Sequence, residues 1–150
     1  MSTATPGSNL TATITAYFTH DHRDCDAVWA GVEQAPPAQQ PAAWAAFRDR
    51  MLRHFDWEED VMFPAFESTT GMRGMGPTEM MRSEHDAMRG LLEQMGMAAD
   101  EGDYGEVLDL GDTLLMLVQQ HNSKEEAMLY PMMDQVLAGQ WAALKGRLRG

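Results

Sequence analysis

The fold is decided by a phrase that occurs twice, HFDWEEDVMFP at residues 54–64 and HNSKEEAMLYP at residues 121–131. Each copy places a histidine four residues before a glutamate and ends in an aromatic residue followed by proline. Residues four apart share one face of an α-helix, so each copy can direct an imidazole and a carboxylate at the same point. Two such pairs predict a metal site between helices.

The repeat extends beyond this phrase. An acid-histidine pair precedes each copy, Asp21-His22 in the first half and Glu84-His85 in the second. The pairs are 63 residues apart and the phrases 67, so the chain reads as two helical hairpins. A chain of 150 residues is short for two domains, and we expect one domain over residues 1–150. Within it we expect residues 1–8 to form a disordered tail and residues 139–150 a short terminal helix.

Proline and glycine divide the chain into four long helical segments. No segment alternates between apolar and polar residues as a half-buried strand does. The sequence therefore predicts an all-α, up-down-up-down four-helix bundle, bent at Pro64 and Pro131. The predicted helices run from about residue 8 or 9 to 34, from 41 to 69, from 77 to before 102, and from 104 to 137.

Four histidines and two glutamates fall on the apolar stripes of these helices. The predicted inner faces are Ile14, Phe18, His22, Cys25 and Trp29; Phe47, Met51, His54, Glu58, Val61 and Met62; Met81, His85, Met88 and Leu92; and Leu114, Leu117, Val118, His121, Glu125, Met128 and Leu129.

Two buried carboxylates cost several kcal/mol unless cations accompany them. Imidazole and carboxylate ligands suit non-heme iron or manganese, with zinc as a further candidate, and their number suits a dinuclear centre. His20 competes with His22 but lies about 200° away on the helix, so we expect only His22 to point inward. Glu59 and Glu126 are expected to lie beside the site and orient its ligands.

Composition excludes several classes of protein. A net charge of −12 argues against nucleic-acid binding, and no apolar run is long enough to cross a membrane. The first residues lack the pattern of a secretory signal, and Cys25 is the only cysteine, so a cytoplasmic location is expected. Cys25 is interpreted as an apolar filler, the alternative being a redox role near the metal.

These motifs resemble the hemerythrin-like, or HHE cation-binding, domains from about residue 10 to residue 137. The resemblance implies a four-helix bundle with a non-heme di-iron centre. Its iron ligands would be His22, His54, Glu58, His85, His121 and Glu125. The motifs that carry the resemblance are Asp21-His22-Arg23, His54-x-x-x-Glu58, Glu84-His85 and His121-Asn122-x-Lys124-Glu125-Glu126.

The chain departs from oxygen-carrying hemerythrins at two positions. Those carriers have a second histidine where this chain has Met81, four residues before His85. They also have an aspartate five residues after the last histidine, whereas Glu125 follows His121 by four. A set of four histidines and two glutamates is more similar to relatives linked to nitric oxide response and to repair of iron centres.

Three functions remain open at this point. The preferred one is a di-iron protein that binds oxygen or nitric oxide as a sensor, store or scavenger. The alternative is a di-iron enzyme or repair factor acting on nitric oxide, peroxide or damaged iron-sulfur clusters. The third is a metal that only holds the bundle together while its surface meets a protein partner that the sequence does not identify.

Overall fold

The computed structural model of the chain describes residues 11–149, which form a four-helix bundle. The residues of the predicted tail, 1–8, lie outside this range, and the expected domain limits stay a prediction. Two of the four rods contain a short π-helical segment, so that seven α-helices are distinguished among the described residues. They are α1 (Ile14–Gln34), α2 (Gln40–Trp57), α3 (Phe63–Thr70), α4 (Pro77–Asp100), α5 (Tyr104–Lys124), α6 (Tyr130–Leu137) and α7 (Trp141–Lys145).

The first helix begins later than the sequence predicted. Thr13 is extended, and its hydroxyl accepts a hydrogen bond from the backbone N–H of Ala16 at 3.0 Å. Asp134 from α6 accepts bonds from the backbone N–H groups of Ile14 and Thr15 at 2.7 and 3.2 Å. These carboxylate and hydroxyl oxygens satisfy amides that have no partner within the helix, which fixes its start at Ile14.

The two conserved-looking proline positions mark π-helical turns rather than simple bends. Segments Glu58–Met62 and Glu125–Leu129 connect α2 to α3 and α5 to α6. The backbone N–H groups of Phe63 and Tyr130 bond to carbonyls five residues earlier, those of Glu58 and Glu125. The wider turn lets each proline enter as the second residue of a new α-helix, where its missing N–H is not needed.

The core consists of two apolar clusters with a polar layer between them. One cluster, which we call the aromatic end, contains Phe18, Trp57, Phe63, Phe66 and Trp141, among others. The opposite cluster contains Trp29, Trp44, Phe47, Met88 and Leu114, among others. Along every rod, the histidine of the predicted site falls between residues of these two clusters.

Most of the predicted inner faces are buried, but two members are wrong. Leu117 is 36% exposed and Met128 is 58% exposed. In the π-helical turn after Glu125, the chain advances by fewer degrees per residue than in an α-helix. Leu129 and Tyr130 therefore face inward, and Met128 faces outward.

The chain end covers the aromatic end of the bundle. Trp141 and Leu144 are buried there, and the indole N–H of Trp141 donates to the Thr11 carbonyl at 3.1 Å. The indole N–H of Trp57 donates to the Arg149 carbonyl at 2.7 Å. Among the described helices, none is long and apolar enough to cross a membrane.

Gly111 is the position where a single methyl group should damage the fold. A Cβ at Gly111 would lie 2.2 Å from the buried ring of Trp29. We expect Gly111→Ala to lower the free energy of unfolding by about 1–3 kcal/mol, because close-packed cores do not absorb extra volume. Urea denaturation measures the loss.

Gly90→Ala is the matched control, since Gly90 is also helical and a Cβ there meets nothing within 4 Å. Alanine is the better helix former by about 1 kcal/mol, so this variant should be as stable as the parent or slightly more stable. Equal stabilities for the two variants would contradict the proposed clash with Trp29.

Candidate metal centre

The structure brings all six side chains predicted from the sequence into one buried layer. None is more than 4% exposed, and Glu58, His85 and Glu125 have no exposed surface. Two overlapping groups have ligand atoms within 4.8 Å of one another. One group is Glu58, His85, His121 and Glu125, and the other is His22, His54 and Glu125.

Each carboxylate lies between two imidazoles from different helices. Oε1 of Glu125 is 3.1 Å from Nε2 of His22 and 3.2 Å from Nε2 of His121. Oε1 of Glu58 is 3.0 Å from Nε2 of His85 and 3.5 Å from Nε2 of His54. The two halves of the chain therefore build two similar halves of the site.

The layer contains polar atoms that the protein itself does not satisfy. Within residues 11–149, four buried atoms of the cluster have no hydrogen-bond partner: Glu58 Oε1, Glu125 Oε2, His85 Nε2 and His121 Nε2. Buried polar atoms are nearly always paired, because leaving one unpaired costs about 1–3 kcal/mol. A cation among these four atoms would satisfy them all, so the donor set fits a metal.

Protonation of the metal-free site points the same way. Burial together with repulsion from Glu125 raises the pKa of Glu58. Burial opposes the charged form of His85, but hydrogen bonds to Glu58 and Glu59 outweigh it and raise the pKa of His85 to about 9. The layer thus binds protons tightly when no metal is present, as expected of a site that requires positive charge.

A second ring of carboxylates holds the outer nitrogen of every histidine. In each case the acid belongs to a neighbouring rod, which fixes the ring orientation and leaves Nε2 pointing inward. The Nδ1–carboxylate pairs are His22 with Glu126 (2.7 Å), His54 with Asp21 (2.7 Å), His85 with Glu59 (2.5 Å) and His121 with Glu84 (2.8 Å).

These acids are paired in turn with cations at the surface. The pairs are Arg23 with Glu126 (3.0 Å), Arg50 with Asp21 (3.1 Å), Arg89 with Glu59 (3.2 Å), and Lys124 with Glu84. As the sequence predicted, Glu59 and Glu126 lie beside the site and orient histidines. Asp21 and Glu84 had been recognised only as repeat markers, because their partners lie on other helices.

Tyr130 is the site residue that the sequence did not reveal. Its hydroxyl donates to Glu58 Oε2 at 2.7 Å or to Glu125 Oε1 at 2.8 Å. Burial and the neighbouring carboxylates raise the pKa of Tyr130 well above 10 in the metal-free protein. One signal was present in the repeat: Tyr130 occupies the place that Phe63 has in the first phrase.

The residues that competed with these in the sequence lie elsewhere. His20 is exposed and pairs with Asp24 at 3.4 Å. Met81 is buried within the aromatic end. Cys25 is buried in the opposite cluster.

The carboxylate ring should control metal affinity. Glu84→Ala removes the acceptor from Nδ1 of His121 and leaves the imidazole free to rotate. We expect this variant to bind its metal about 10–100-fold more weakly. Competition with a chelator measures the change, and Asp86→Ala, an exposed acid on the same helix, is the control. Equal affinities for the two variants would refute the orienting role of Glu84.

Cys25 should behave as an inert core residue. Burial, followed by repulsion from Asp21, raises the pKa of its thiol from 9.0 to about 12, so the reactive thiolate is scarce at neutral pH. We expect a maleimide to modify the native protein far more slowly than the urea-unfolded protein, as mass spectrometry would show. Rapid modification of the native protein would mean that the thiol is accessible.

Comparisons with known proteins agree with the predicted family. The family described as the hemerythrin HHE cation binding domain matches residues 13–133. An uncharacterized hemerythrin-like protein of Schizosaccharomyces pombe (strain 972 / ATCC 24843) is 27% identical over 120 residues, or 79% of this chain. The match spans 58% of that relative's length. No solved structure matches the chain. Since the family match includes all six converging residues, the protein belongs to the hemerythrin HHE cation-binding family.

Proposed function

We propose that the protein holds two iron ions and binds a small diatomic molecule, oxygen or nitric oxide, as a sensor, store or scavenger. The observation that carries the proposal is the buried layer of four imidazoles and two carboxylates with unpaired atoms facing one another. The proposed ligands are His22, His54, Glu58, His85, His121 and Glu125. When bound, the iron would supply the open coordination position that a diatomic molecule needs.

The chemistry of the donor atoms favours iron. Neutral imidazole nitrogens combined with carboxylate oxygens suit iron or manganese, and thiolate, which would favour zinc or copper(I), is not part of the cluster. The two carboxylates each lie between two histidines, which is the arrangement that lets six side chains serve two ions. Manganese and zinc are the competing ions in any metal-loading experiment.

Aromatic rings separate the layer from solvent. The ring of Phe55 stacks on His85 at 4.3 Å between centroids, and Phe63 lies 5.7 Å from the same imidazole. Phe18 lies edge-on against His54 at 5.7 Å. Excluding water in this way supports reversible binding, because it removes the solvent that promotes irreversible oxidation of a reduced centre.

A second candidate function is di-iron catalysis or iron-centre repair acting on nitric oxide, peroxide or damaged iron-sulfur clusters. The observation that favours it is Met81, a weak ligand for iron, at the place where oxygen carriers have a histidine. A centre with one strong ligand fewer would be more reactive. Catalytic loss of peroxide or nitric oxide beyond one equivalent per site, abolished by Glu125→Ala, would select this candidate.

Replacing one proposed ligand should remove metal. We expect His22→Ala, loaded with iron(II) under anaerobic conditions, to hold at most one iron per chain, as measured by elemental analysis. His20→Ala is the control, because His20 is exposed and two residues away on the same helix. If the two variants hold equal iron, His22 is not a ligand.

The reduced protein should respond to gas. We expect the anaerobic, iron(II)-loaded protein to develop a charge-transfer absorption band on addition of oxygen or nitric oxide. A band with oxygen that disappears on purging with inert gas would support reversible binding. No spectral response to either gas would refute the proposed function and leave a metal that only stabilises the bundle.

A further inference from the structure

The hydroxyl oxygen of Tyr130 is surrounded by proposed ligand atoms. It lies 2.7 Å from Glu58 Oε2, 2.8 Å from Glu125 Oε1, 3.1 Å from His22 Nε2 and 3.5 Å from His54 Nε2. Tyr130 is only 1% exposed, so water does not share in these contacts. The phenol oxygen therefore lies inside the site rather than at its wall.

The hydrogen bonds around this oxygen do not balance without a cation. Nδ1 of His22 and Nδ1 of His54 each face a carboxylate at 2.7 Å, so each Nε2 of the neutral imidazole presents a lone pair to the phenol. Four acceptor atoms thus surround a group that has one proton to donate. A metal ion at this point would satisfy all of them together with the phenol oxygen.

The equivalent position in the other half of the site has no such oxygen. Phe63 takes the place of Tyr130 in the first phrase, and its ring stacks on His85. The half of the site that contains His22 and His54 therefore has one potential ligand more than the half that contains His85 and His121. The two metal positions are chemically unequal.

We propose that the oxygen of Tyr130 is a protein ligand of the iron held by His22 and His54. The iron held by His85 and His121 then has the open position at which a diatomic molecule binds. On coordination the metal replaces the phenol proton, which leaves to solvent, and no electron is transferred. The inference rests on the proposed two-iron centre, but it concerns the protein's own ligands and not the gas.

The test uses the gas-free, iron(III)-loaded full-length protein. Phenolate bound to iron(III) gives a visible charge-transfer band and resonance-enhanced tyrosinate vibrations. We expect both signals in the parent and their complete loss in Tyr130→Phe, with the iron content unchanged or reduced by one ion. Phenylalanine already occupies the equivalent position in the first phrase, so the substitution preserves the aromatic packing.

The chain has three tyrosines, which provides a control that does not depend on the folding of Tyr130→Phe. The double variant Tyr17→Phe/Tyr104→Phe retains Tyr130 alone and should keep both signals. Iron-loaded parent without tyrosinate vibrations, or vibrations that are lost in the double variant, would overturn the inference. The gas response of the reduced protein is a separate measurement, so failure of the proposed function would leave these signals in place.

Discussion

The burial of two carboxylates at the centre of the bundle is the constraint on which the rest of the structure depends. Glu58 and Glu125 have no exposed surface, and ionised carboxylates in that position cost several kcal/mol each unless positive charge accompanies them. Four imidazoles and one phenol surround the pair, yet atoms of both glutamates still lack a partner. The protein has therefore placed negative charge and lone pairs where only protons or metal ions can neutralise them. A bundle selected for stability alone would fill this layer with apolar side chains.

Charge alternates outward from that layer. The inner carboxylates face imidazoles, the imidazoles face a ring of four acids, and each of those acids faces an arginine or lysine near the surface. Because every outer acid belongs to a different rod from the histidine that it holds, the ring links α1 to α2, α2 to α4, α4 to α5 and α5 back to α1. The same contacts that orient the ligands therefore fix the relative positions of the rods. This arrangement places the site at the point where all four rods are tied together.

The two π-helical turns determine which side chains reach the layer. In a regular α-helix, a residue five positions after Glu125 would lie roughly 140° around the axis from it. The wider turn at Glu125–Leu129 brings Tyr130 onto the same face, where its hydroxyl contacts Glu125. The turn at Glu58–Met62 does the same for Phe63, whose ring reaches His85. The two turns are geometrically alike, so the difference between phenol and phenyl is what distinguishes the two halves of the site.

The sequence by itself determined the helical class, the number of rods and the six side chains that meet, because these follow from local periodicity and from a repeat that can be read along one chain. Residues four apart share a helical face wherever the helix lies, so His54 and Glu58 could be paired without knowing their neighbours. The tertiary structure alone decided which acid holds which histidine, and it brought Tyr130 into the site. Asp21 adjoins His22 in sequence yet bonds to His54, since neighbours on one helix point in different directions and their partners come from other rods. The proline positions predicted an irregularity, but the choice of a π-helical turn depended on burying Tyr130 and Phe63 against the opposing helices.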